Sequence, residues 1–162
     1  MPSYRTHTAF NLFLVLPISL TALYCSMHPK NAQLVSFMAM FIYTTLFMSP
    51  DMDLSYKIKW YSLRGLLSLP FRSYARVFKH RGISHSLLLG SLTRVVWLSL
   101  VIILLLLCLS FLLSHPFFVT SYVATSCLVT SYIHYKKEIF YGLSGICLAD
   151  AAHILLDKCL KH

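Results

Sequence analysis

VVWLSLVIILLLLCLSFLL, residues 95–113, is nineteen positions without a charge. As an α-helix it is about 28 Å long, enough to cross most of the hydrocarbon core of a bilayer. It opens a longer run, 95–135, in which forty-one positions hold no Asp, Glu, Lys or Arg. The rest of the 162-residue chain agrees: 57% is hydrophobic, only 12% is charged, and the mean hydropathy is +0.69. A soluble domain of this length needs about twice that charge to keep its surface wet. The composition therefore reads as a membrane protein, organised as a single domain over 1–162.

Working outward from 95–113, His115-Pro116 marks a turn, and 117–133 is a second, shorter apolar candidate. A last apolar helix is expected over 139–156, where Gly142 and Gly145 allow close helix contact. Towards the N-terminus, 8–27 and 31–50 read as a helical hairpin turned by HPKN at 28–31. Arg5 before an apolar run has the look of a signal peptide. A small-x-small cleavage site and a polar mature region are missing, so the segment reads as a retained first helix.

Residues 54–82 differ in kind. Phe71, Tyr74 and Phe78 share one helical face, while Arg72, Arg76 and Lys79 share another. With Trp60-Tyr61 nearby, this reads as a helix lying in the membrane interface. Seven of the fourteen Lys and Arg fall between Lys57 and Arg81, within a net charge of +9. That basic cluster suits anionic lipid headgroups or a phosphorylated substrate, and it places the loop on the cytoplasmic side. No nucleic-acid-binding module is recognisable. The expected fold is all-α: a membrane-embedded compact bundle of about four or five apolar helices plus a basic interfacial amphipathic helix. Simple alternation of five segments puts the start of the last helix, not its polar far end, on the side of this loop.

Cys25, Cys108, Cys127, Cys147 and Cys159 form no CxxC pair and have mostly apolar neighbours. They read as buried free thiols.

The chain has only five acids: Asp51, Asp53, Glu138, Asp150 and Asp157. A carboxylate in apolar surroundings is costly unless paired or bound to a metal. Asp51 and Asp53 stand in SPDMD, 49–53, where Pro50 ends a helix and alternate residues converge from a loop. His80 and His85 stand in HRGISHS, 80–86, converging if Gly82 breaks the backbone and Ser84 caps the next helix. In DAAHILLD, 150–157, Asp150, His153 and Asp157 fall on one stripe of a helix. His7 adds a further imidazole near the N-terminus. Carboxylates and imidazoles together suit a divalent ion, zinc before Mn, Fe or Mg. The plain alternatives are capping residues and local hydrogen-bonded pairs. His28, His115 and His134 lack such company and read as turn or interface residues.

MPSYRTH at 1–7, SPDMD, the W-x-x-x-R of Trp60 to Arg64, HRGISHS, Gly90, Arg94 and the H-x-x-x-D of 153–157 carry a resemblance. In that combination and order they resemble a family of uncharacterised bacterial metal-binding membrane proteins. The chain is more distantly similar to metal-dependent hydrolases of the bacterial inner membrane. That group is linked to all-helical folds like those of zinc-dependent phospholipase C and related nucleases. The resemblance implies a metal site of His7, Asp51, Asp53, His80, His85, His153 and Asp157, with hydrolysis of a phosphoester as the chemistry. Asp53 is then the carboxylate that orients water. Asp150 has no place in the pattern and rests on helix spacing alone. The rival expectations are a metal that only staples the helices together and an accessory to metal transport.

Overall fold

The computed structural model describes residues 4–48, 61–62, 65–66, 68–77, 87–112 and 117–160. Among them the secondary structure is helical, with no strand. Helix α1 (Tyr4–Phe10) passes through a π-helical segment, Asn11–Val15, into α2 (Leu16–Met27). Helix α3 is Asn31–Phe47, α4 is Leu69–Val77, α5 is Leu87–Leu112 and α6 is Phe117–Cys159.

The hairpin turns where the sequence predicts. His28 takes the left-handed conformation (φ 46°) that ends α2. The Gln33 side chain accepts a 3.0 Å bond from the Lys30 backbone N–H, covering a donor at the start of α3. Among the described residues, three stretches are long and apolar enough to cross a membrane: Tyr4–Met27, Leu89–Leu112 and Thr125–Cys159. Helix α3, with seventeen residues, is shorter.

Helix α6 packs chiefly along α3, and it does so closely. A Cβ on Gly145 would stand 2.6 Å from the Phe37 carbonyl oxygen, and one on Gly142 would stand 3.0 Å from Ser36 Oγ. The two glycines thus set the helix separation, as their spacing suggests. Ser36 Oγ then donates to the Glu138 carbonyl (2.7 Å). Two apolar clusters fill the bundle. One is Leu16, Phe37, Phe41 and Ala149; the other is Met48, Phe71, Tyr74 and Ile146.

The structure bears on three sequence expectations. First, the break expected between 117–133 and 139–156 is present as a kink at Tyr135 (φ −114°, ψ 22°), across which the two segments run on as α6. Lys136, Lys137 and Glu138 are polar but good helix formers, and no Gly or Pro lies between Pro116 and Gly142. Running parallel to α3, α6 carries its polar C-terminal part to the end of the bundle where Met48 and the start of α5 lie. The conflict with simple alternation disappears.

Second, all five cysteines are exposed. Apolar neighbours in sequence do not mean burial. Third, α4 is amphipathic, but Phe71 and Tyr74 are fully covered by protein rather than turned to lipid. Tyr74 meets Trp97 edge-on, and Trp97 Nε1 donates to the Pro70 carbonyl (2.9 Å). Phe78 and Lys79 lie outside the described residues.

Candidate metal centre

Asp150, His153 and Asp157 are three and four residues apart, so α6 presents all three on one stripe. The structure divides that stripe between two partners. Near its beginning stands Arg94 of α5, fully buried. Its Nη1 and Nη2 donate to Asp150 Oδ1 (3.0 Å) and Oδ2 (2.7 Å), a two-pronged pair. Ser91 Oγ donates to Asp150 Oδ2, Arg94 Nε to the Gly90 carbonyl (2.9 Å), and Nη1 to the Met48 carbonyl. The last contact covers a carbonyl at the C-terminal end of α3, where a cation also complements the helix dipole. Asp150 therefore belongs to a closed ionic knot joining α3, α5 and α6.

One turn on, the partner is α1. His7 and His153 stack face to face, ring centroids 3.8 Å apart and planes 12° from parallel. His7 Nε2 lies 3.2 Å from Asp157 Oδ1, and His153 Nε2 lies 3.8 Å from Asp157 Oδ2. One potential ligand atom from each of the three residues falls within 4.8 Å of the others. All three are buried, His7 at 3% and His153 at 2% exposure. A four-coordinate divalent ion with bonds of about 2.0–2.1 Å needs ligand atoms roughly 3.4 Å apart, so side-chain rotation of about an ångström would close the three around one. Two imidazoles and a carboxylate are also a chemically apt set: neutral donors with one negative charge, and both ion-pair partners of Asp157 among the described residues are histidines. The residues fit a metal.

Of the seven metal-site residues read from the sequence, the structure thus brings His7, His153 and Asp157 together. Asp51, Asp53, His80 and His85 lie outside the described residues. Two polar residues escaped the sequence reading as site components. Asn11, 1% exposed, sends its Nδ2 to the Ala149 carbonyl (3.1 Å) and to Thr45 Oγ1 (3.3 Å). Ser91 completes the knot on Asp150. The available signal was spacing: Asn11 follows His7 by four, and Ser91 precedes Arg94 by three.

Residues 2–162 match the family described as "Uncharacterized metal-binding protein (DUF2227)". The chain belongs to this family. Its metal-binding character and the His7–His153–Asp157 cluster agree on a metal ion. No curated protein and no solved structure matches the chain.

Proposed function

We propose that this family member is a membrane-embedded metal protein. In this reading His7, His153 and Asp157 hold a divalent ion, zinc by donor type, and Asp51, Asp53, His80 and His85 complete the centre. The observation that carries it is the convergence of two imidazoles and a carboxylate from the first and last helices in a buried place. Connectivity supports the wider set. Asp51 follows Met48 by only three residues, a reach of at most about 11 Å, and Met48 is tied to Arg94 beside the stripe.

The chemistry that suits this donor set is hydrolysis of a phosphoester or another anionic substrate. A bound divalent ion would supply Lewis acidity there. Asp53 would orient the water, and the basic stretch 57–81 would gather a phosphorylated lipid at the cytoplasmic face of a bacterial inner membrane. One observation favours a second reading. His7 and His153 are almost wholly buried, as suits an ion that only staples α1 to α6.

Metal analysis of the detergent-purified protein by mass spectrometry tests the shared part. A stoichiometric ion, lost in both His153→Ala and Asp51→Ala, is the expected result; a metal-free wild type from metal-replete, chelator-free medium overturns it. Turnover of bis(p-nitrophenyl) phosphate that a chelator abolishes and Asp53→Asn removes then supports hydrolysis. A chelator that lowers the melting temperature, in a protein without turnover, supports the staple.

A further inference from the structure

The first helix changes phase in the turn directly below His7. Leu16, Leu20 and Leu23 share one face of α2 and pack in the apolar cluster with Phe37, Phe41 and Ala149. In an unbroken α-helix, at about 100° per residue, that face would lie nearly opposite His7 and Asn11. The chain instead takes a wide turn over Asn11–Val15, in which the Leu16 N–H bonds to the Asn11 carbonyl five residues back. Such a turn absorbs one extra residue and so about 100° of phase. The deeply buried positions accordingly run 7, 11, 16, a step of four and then of five. Pro17 sits at the end of the wide turn. It has no N–H to return to Phe13, and its ring crowds that carbonyl, so regular helical bonding is already weakened there.

Asn11 stands at the head of this turn, just after α1, and its amide makes buried polar contacts to both α3 and α6. The Ala149 carbonyl that it meets lies one turn before His153 on α6, just as Asn11 lies one turn after His7 on the antiparallel α1. Thr45 Oγ1 fixes the same amide from α3. Sliding α1 by one residue along α6 would move His7 by about 1.5 Å, against a His7–Asp157 separation of 3.2 Å.

We infer that Asn11, held at the head of the wide turn, is a positioning residue that sets the register of α1 on α6 and so brings His7 against His153 and Asp157. The reading of these three as metal ligands is taken over from the proposal above, whereas the register itself is independent of any ion. Asn11→Leu keeps much of the volume and removes both hydrogen bonds. Two readouts apply. The first is zinc affinity by chelator competition together with the visible spectrum of the Co²⁺-loaded protein. A positioning partner outside the ligand set is worth about 10–100-fold in affinity, and the Co²⁺ bands are expected to shift.

The second readout needs no metal. With the five exposed native cysteines replaced by serine, a His7→Cys, His153→Cys pair is oxidised with iodine, and the disulfide is expected to form at least fivefold more slowly once Asn11→Leu is added. Should Asn11→Leu not yield monodisperse protein, Thr45→Val removes one acceptor without touching α1, with a two- to fivefold effect expected in both readouts. Losses in both support the inference, and no change in both overturns it. Weakened zinc binding with unchanged cross-linking also overturns it, because Asn11 would then act on the ion. Slower cross-linking in a protein whose wild type binds no metal leaves the register role standing and removes the metal reading alone.

Discussion

Two buried carboxylates on the same helix are treated in opposite ways. Asp150 meets a cation that the chain itself supplies, Arg94, and each carboxylate oxygen accepts from its guanidinium while Ser91 adds a further donor. Asp157, less than two turns on, meets two imidazoles instead. A buried acid in an apolar bundle requires a positive partner. The first cluster is complete with its own side chains, and the second is arranged like one that receives its positive charge from outside. The difference teaches that a row of acids and histidines on an apolar helix is not one site by virtue of its spacing. What faces each residue from the neighbouring helices decides.

That contrast can be broken at its strongest point first. Arg94→Met leaves Asp150 buried without its cation and is expected to cost about 3–5 kcal/mol, measured by unfolding in detergent, with no rescue by added zinc. Combining it with Asp150→Leu is expected to recover most of the loss, since an apolar pair of similar volume replaces a buried ion pair at little cost. Asp157→Ala is expected to act the other way round. The metal-free protein would unfold within about 1 kcal/mol of the wild type. Stabilisation by an added metal ion, expected at about 4 kcal/mol for the wild type at a thousandfold excess over the dissociation constant, would vanish.

A smaller effect is expected where the two clusters share a support. Gly145→Ala puts a methyl group against the Phe37 backbone, forcing α3 and α6 apart at about 1–3 kcal/mol. Zinc affinity should fall with it, because both clusters hang on α6. The mildest change is Ser91→Ala, about 1 kcal/mol, with metal content untouched. A Ser91→Ala protein that lost its metal would erase the distinction between the clusters.

The sequence carried much of this architecture in plain view. Uncharged runs gave the apolar helices, the rarity of acids pointed to 150–157, and Gly142 with Gly145 foretold the close contact of α6 with a neighbour. What stayed hidden depended on contacts across the chain. Arg94 enters the sequence reading only through the family resemblance, because its partner is 56 positions away. The wide turn at Asn11 has only Pro17 as its local trace. The cysteines misled because a helix that is apolar all round can still leave one face uncovered, which sequence alone cannot tell from a helix buried in protein. The break expected between 133 and 139 is there as the kink at Tyr135.

The His7–Asp157 contact also has a consequence in time. The two residues are separated by almost the entire sequence, and closing so long a loop is the slow, entropically unfavourable kind of contact. During synthesis His7 is made long before α6 exists. An ion at this place would be captured only after the last helix has been made and has docked along α3, so metal loading would report that assembly of the bundle is finished.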